Sequence, residues 1–165
     1  TLVNYLLLGC ASGATLATVL AAIQAPGLVI PYAQVATLIT LLGLVTRAAS
    51  LVRNARLKPK STLQSAIGIK HPRIVQKAQG FMGGSFNTRE FFHRASQRAL
   101  RHMRLAFQCL AFLLPALMLV WALLSQTTLP LLLAALVQAP GLIAERWFFF
   151  AQARHPQNLY YQVVS

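Results

Sequence analysis

The sequence of 165 residues contains only two carboxylates, Glu90 and Glu145, so few side chains could carry acid–base chemistry. Glu145 follows the Pro140-Gly141 pair inside a long apolar segment and is followed directly by Arg146. An ionisable side chain inside a membrane segment is costly unless it is paired or faces a wet cavity. Glu145 and Arg146 are therefore candidates for a quinol-facing, proton-handling site or for a structural ion pair.

Arg47 is the candidate partner of Glu145. It lies inside the second apolar segment, ahead of the basic run that begins at Arg53. Counted from the basic end of its segment at 1.5 Å per residue, each residue lies at a comparable depth, about 9 and 13 Å. An ion pair would tie the second segment to the fourth. The alternative for Arg47 is a side chain that extends to the membrane interface.

No metal or haem site is predicted. The four histidines, His71, His93, His102 and His155, all lie in loops or at membrane edges. A transmembrane haem held by two histidines needs imidazoles inside facing helices. The sequence also lacks a nucleophile elbow, a phosphate loop and zinc-ligand spacing. We therefore predict no catalytic residue in this chain.

Composition places these residues in a membrane protein. The sequence is 56% hydrophobic and 10% charged, with a mean hydropathy of +0.58, whereas soluble domains carry roughly 25% charged residues. The formal charge of +13 would suit a nucleic-acid partner, but the rest of the chain is too apolar for a soluble binder. We predict a lipid bilayer as partner and no nucleic acid.

The apolar runs predict an all-α membrane protein, a single transmembrane domain built as a bundle of about four spanning helices. A helix of about 20 residues crosses the hydrocarbon core. In the first run, Gly9, Gly13, Ala17 and Ala21 recur at every fourth position and predict a smooth stripe for close helix contact. The predicted spans cover residues 2–23, 32–52, 105–124 and 129–153.

The central basic loop, residues 53–104, separates the second and third spans. Asn87 and Glu90 have the spacing of a capping box, which predicts a helix that becomes amphipathic and runs into the third span. The loop is a plausible platform for a soluble partner. The candidate docking residues are Asn87, Arg89, Phe91, Phe92 and His93.

The distribution of cations predicts the topology. Residues 53–104 hold 12 of the 15 Lys and Arg side chains. By the positive-inside rule the central loop faces the cytoplasm, and with four crossings both ends of the chain do too.

Three stretches resemble the C-terminal half of the dimethyl sulfoxide reductase membrane-anchor subunit family. They are STLQSAIGIKHPRIVQKAQ from Ser61, GFMGGSFNTREFFH from Gly80 and ERWFFFAQARHPQNLYYQ from Glu145. The resemblance implies a subunit of the bacterial cytoplasmic membrane that docks an iron–sulfur subunit and a molybdopterin catalytic subunit. Such anchors pass electrons from menaquinol in anaerobic respiration and carry no prosthetic group of their own.

Anchors of that family are about twice as long, with about eight crossings, so the chain is expected to represent the last four. The residues usually credited with the quinol site belong to the other half, and none is carried onto this sequence. The alternative function is a non-enzymatic helical scaffold or a transporter fragment. A transporter would favour polar groups near the middle of several broken helices, and only Glu145 beside Pro140-Gly141 hints at that.

Overall fold

The computed structural model describes residues 2–58, 62, 64–65, 68–71 and 97–151, and these residues contain helices and no strand. Four helical stretches are long and apolar enough to cross a membrane, which confirms the predicted fold class. A 3₁₀ turn, Pro26–Leu28, precedes the second stretch, and a π-helical segment, Cys109–Leu113, interrupts the third. The α-helices are α1 (Leu2–Gln24), α2 (Val29–Arg56), α3 (Gln97–Gln108), α4 (Leu114–Ser125) and α5 (Leu129–Ala151).

The second span begins earlier than the sequence suggests. We expected Pro31 to belong to the connection, but α2 begins at Val29 and takes Pro31 into its first turn. The N–H groups of a first turn have no partner within the helix, so proline costs nothing there. Only Ala25 and the 3₁₀ turn Pro26–Leu28 therefore separate α1 from α2.

The chain divides into two compact units, each of which is described separately. The first unit comprises Thr1–Arg56 and His102–Glu145, and the second comprises Leu57–Arg101 and Arg146–Ser165. In the second unit, the Arg146 guanidinium carbon lies 5.8 Å from the centroid of the Phe149 ring. The remaining points on packing concern the first unit.

The packed faces of α1 and α2 are built from small and hydroxyl-bearing side chains. Most of the hydroxyls donate within their own helix: Thr15 Oγ1 donates to the Ala11 carbonyl at 2.9 Å, and Thr40 Oγ1 to the Ala36 carbonyl at 2.7 Å. A hydroxyl satisfied in this way lets its helix present a compact surface to a neighbour. Where no water competes, such van der Waals contact is what holds spanning helices together.

The stripe that we expected to make the close contact of α1 is not the packed one. Gly9 and Gly13 are exposed, and a methyl group at either position would meet no atom within 4 Å. The buried face is turned away from them, because Ala11, Thr15 and Thr18 are equally compact and two of them also satisfy a hydroxyl. The buried positions of α1 are Asn4, Leu8, Ala11, Thr15, Thr18 and Ala21.

The tightest helix contact in the first unit lies between α5 and the π-helical segment. Helix α5 continues through Pro140. The backbone at Gly141 lies so close to the segment that a β-carbon there would stand 2.7 Å from the Ala111 Cα and overlap its nitrogen. Gly43 of α2 makes a looser contact, since a β-carbon there would lie 3.0 Å from Phe112 Cε1. Glycine at 141 thus permits a backbone-to-backbone approach that no other residue allows.

Gly141→Ala should destabilise the protein, because the added methyl group forces two backbones apart. We expect a loss of about 1–3 kcal/mol, the usual cost of overpacking. Thermal unfolding in detergent measures it. Gly13→Ala is the matched control and should leave the melting temperature unchanged or slightly higher, since alanine is the better helix former. Equal melting temperatures for both variants would contradict the close approach.

Candidate functional site

The candidate site is an ion pair buried between two spanning helices. Arg47 lies on the packed face of α2, four residues after Gly43, and Glu145 lies on α5, four residues after Gly141. Arg47 Nε and Glu145 Oε1 are 2.8 Å apart, and the two side chains are only 3% and 2% exposed. The structure therefore brings together the two charged residues that the sequence places at similar depth.

A third helix contributes an aromatic side chain to the pair. Phe107 of α3 is fully buried, and its ring centroid lies 5.5 Å from the guanidinium carbon of Arg47. A cation over an aromatic face gains electrostatic attraction from the ring, and more so where water is excluded. Arg47 is thus held by a carboxylate from α5 and a ring from α3.

Arg47 does not extend to the interface, which corrects that alternative. The helix continues for nine residues beyond it to Arg56, and the side chain is buried among its neighbours. Transferring a guanidinium from water is expensive, but a carboxylate at hydrogen-bonding distance returns much of that cost. The arrangement connects α2, α3 and α5 through one charge cluster.

The other predicted residues fall elsewhere. Arg146 belongs to the second unit, where its guanidinium lies over Phe149. No group of three or more His, Cys, Asp or Glu side chains in the described residues could hold a metal ion. The docking residues Asn87, Arg89, Phe91, Phe92 and His93 lie outside the described residues.

Gln138 is a buried polar residue that sequence reasoning missed. Its side chain lies on α5, is 3% exposed, and donates from Nε2 to the carbonyl of Ala111 at 3.3 Å. In an α-helix that carbonyl would accept from the N–H of residue 115, which is a proline and has none. The π-helical segment also redirects the neighbouring N–H of Leu114 to the Cys109 carbonyl. Gln138 therefore supplies a donor that the third span lacks.

Two signals in the sequence could have found this contact. Gln138 is the one amide within the apolar stretch of α5, and Pro115 marks Ala111, four residues before it, as a carbonyl without its usual donor. Neither signal says which helix faces which. The pairing depends on Gly141, one turn from Gln138, where α5 meets the π-helical segment.

Comparison with known proteins finds a strong similarity to a protein of a sulfur-oxidising complex. Over 166 aligned residues, which cover the whole chain, it is 52% identical to a sulfite dehydrogenase subunit of Allochromatium vinosum. The aligned region is 51% of that protein, so the chain spans about half the length of the curated relative it matches. No protein-family model and no solved structure matches the chain.

Breaking the ion pair on one side should be more damaging than removing both charges. Glu145→Gln or Arg47→Gln leaves one buried charge without compensation, at a cost of about 3–5 kcal/mol. The double variant Arg47→Gln/Glu145→Gln buries no charge and should recover part of the melting temperature. Arg53→Gln, an exposed cation on the same helix, is the control and should unfold like the wild type. A double variant as unstable as the two single losses combined would show that the residues do not act as a pair.

The bond between Gln138 and Ala111 should be coupled to Pro115. Gln138→Leu removes the donor and should cost about 1 kcal/mol of unfolding free energy. Pro115→Ala restores a backbone N–H that can reach the Ala111 carbonyl. In the Pro115→Ala background Gln138→Leu should therefore cost less, as measured by a double-mutant cycle on unfolding. Strictly additive losses would mean that the amide does not substitute for the missing donor.

Proposed function

We propose that the protein containing this chain is a membrane-anchor subunit of an oxidoreductase complex. The observation that carries this proposal is the 52% identity, along the whole chain, to a subunit of a sulfite dehydrogenase. The four apolar helices fit a subunit whose place is in the bilayer. The resemblance to dimethyl sulfoxide reductase anchors, which rests on separate sequence motifs, leads to the same class of subunit.

The partners that we propose are an iron–sulfur subunit, which carries electrons, and a molybdopterin subunit, where the substrate reacts. The chain itself is proposed to hold no prosthetic group. The docking surface would include Asn87, Arg89, Phe91, Phe92 and His93, where aromatic side chains supply contact area and cations attract an acidic partner. This part of the proposal rests on the sequence, since the docking motif lies outside the described residues.

The direction of electron flow has two candidates. The name of the relative implies that sulfite is oxidised: sulfite and water yield sulfate, two protons and two electrons, which would reduce a membrane quinone to quinol. The resemblance to dimethyl sulfoxide reductase anchors implies the reverse, with menaquinol as donor. We propose quinone reduction first, because the identity that supports it extends over the full chain.

Within this function we propose that Arg47 and Glu145 act as a structural tie. A quinol enters from the lipid, whereas these side chains are 3% and 2% exposed and bonded to each other. A scaffold or transporter is the second class of function. It has less support, because the buried charges in the described part of the first unit are engaged in holding helices together.

The proposed orientation places the basic loop in the cytoplasm and the chain in the cytoplasmic membrane of a bacterium, with both chain ends on the cytoplasmic side. Arg53 and Arg56 at the end of α2 agree with this orientation. A reporter active only outside the cytoplasm should be silent when fused within residues 60–100.

Co-purification tests the proposed partners. Changing Arg89, Phe91 and Phe92 together to alanine should reduce recovery of the iron–sulfur and molybdopterin subunits while leaving the amount of the anchor in the membrane unchanged. The control changes Ile69 and Lys70, which are exposed in the same loop, and should retain both partners. Full recovery with the triple variant would move the docking surface elsewhere, and purification without any redox subunit would overturn the proposed function.

Activity of isolated membranes separates the two directions of electron flow. Sulfite should reduce a soluble quinone analogue in membranes that contain the complex, and deletion of the anchor should abolish this reaction. Dimethyl sulfoxide reduction driven by a menaquinol analogue, without sulfite-dependent quinone reduction, would favour the second candidate. Glu145→Gln should lower both the activity and the amount of assembled complex in proportion, as expected of a structural residue.

A further inference from the structure

We propose that the cations at one end of the first unit form a binding surface for the phosphate groups of anionic phospholipids. The surface consists of Arg53 and Arg56 on α2 and Arg104 on α3. It is separate from the docking motif of the central loop and does not depend on which redox partner the chain has.

The contact between Arg47 and Phe107 places these cations at the same end of the bundle. Because those side chains are adjacent, α2 and α3 lie side by side at this level. Arg53 and Arg56 follow Arg47 by six and nine residues, about 9 and 14 Å along the helix, and Arg104 precedes Phe107 by three residues, about 4.5 Å. All three therefore lie beyond the buried ion pair, towards the same membrane surface.

The protein has too few anions to neutralise this surface. The sequence holds two carboxylates against 15 Lys and Arg side chains, and Glu145 already contacts Arg47. The nearest recorded acceptor of Arg53 is the neutral Asn54 Oδ1, at 3.5 Å from its Nη2. The compensating negative charge must come from outside the chain.

The surroundings of the cations favour lipid over an acidic protein. Val52 is 46% exposed and lies one helical turn before Arg56, while Leu105 is 55% exposed and adjoins Arg104. Exposed apolar side chains on a spanning helix face acyl chains, so the cations emerge from a lipid-facing surface at the depth of the headgroups. A guanidinium matches a phosphate well, because its planar fork can donate two hydrogen bonds to it.

Lipid-dependent thermal unfolding of the purified, detergent-solubilised protein tests the surface. Dioleoylphosphatidylglycerol should raise the melting temperature, and the rise should shrink at high salt, which screens exposed charges. Dioleoylphosphatidylcholine and inorganic phosphate should each give little or no rise, which separates an anionic lipid from a zwitterionic one and from a free anion. An equal rise with phosphatidylcholine, or one reproduced by inorganic phosphate, would overturn the proposal.

Variants locate the surface. Arg53→Gln/Arg56→Gln should weaken phosphatidylglycerol binding, counted by native mass spectrometry, by about fivefold for each cation or roughly 25- to 30-fold together. Arg53→Lys/Arg56→Lys keeps the charges and should bind to within a few fold of wild type, and Lys70→Gln in the loop should not change binding. Unchanged binding in the double Gln variant would overturn the proposal. So would loss of the redox partners from that variant with lipid binding intact, since the surface would then serve a protein.

Discussion

The cost of placing charge where water is absent governs this bundle. A guanidinium and a carboxylate have each left water, and each is tolerated because the other lies 2.8 Å away with an aromatic ring over the cation. The attraction between them is strong only while the three helices stay in register. The pair therefore fixes both the separation of α2, α3 and α5 and their relative heights in the membrane.

Compact side chains make that register possible. Apolar surface gains little by leaving lipid for protein, so the helices hold together by contact area and by hydrogen bonds. Gly43 and Gly141 remove the side chains that would keep the helices apart, and each lies one turn before a member of the ion pair. The glycine that allows the approach and the charge that fixes it are thus neighbours on the same helix face.

Much of this arrangement could be predicted from the chain itself. Long apolar runs identify spanning helices because a bilayer requires a minimum length, and the depth of Arg47 and Glu145 made their pairing a stated possibility. Periodicity alone could not choose the packed face of α1, since glycine, alanine and threonine stripes are all compact. The contact of Gln138 with Ala111 was also out of reach, because it depends on a local π-helical segment and on which helices are adjacent. The role of the docking motif stays a prediction from sequence.

The proline in the third span bears on how the protein is made. A helix that enters the bilayer with a carbonyl lacking its backbone donor is at a disadvantage until a neighbour provides one, and here the neighbour is the helix synthesised last. The carboxylate partner of Arg47 arrives with that same helix. Biogenesis is therefore completed by the final segment, which locks the earlier ones in place as it leaves the ribosome and joins them.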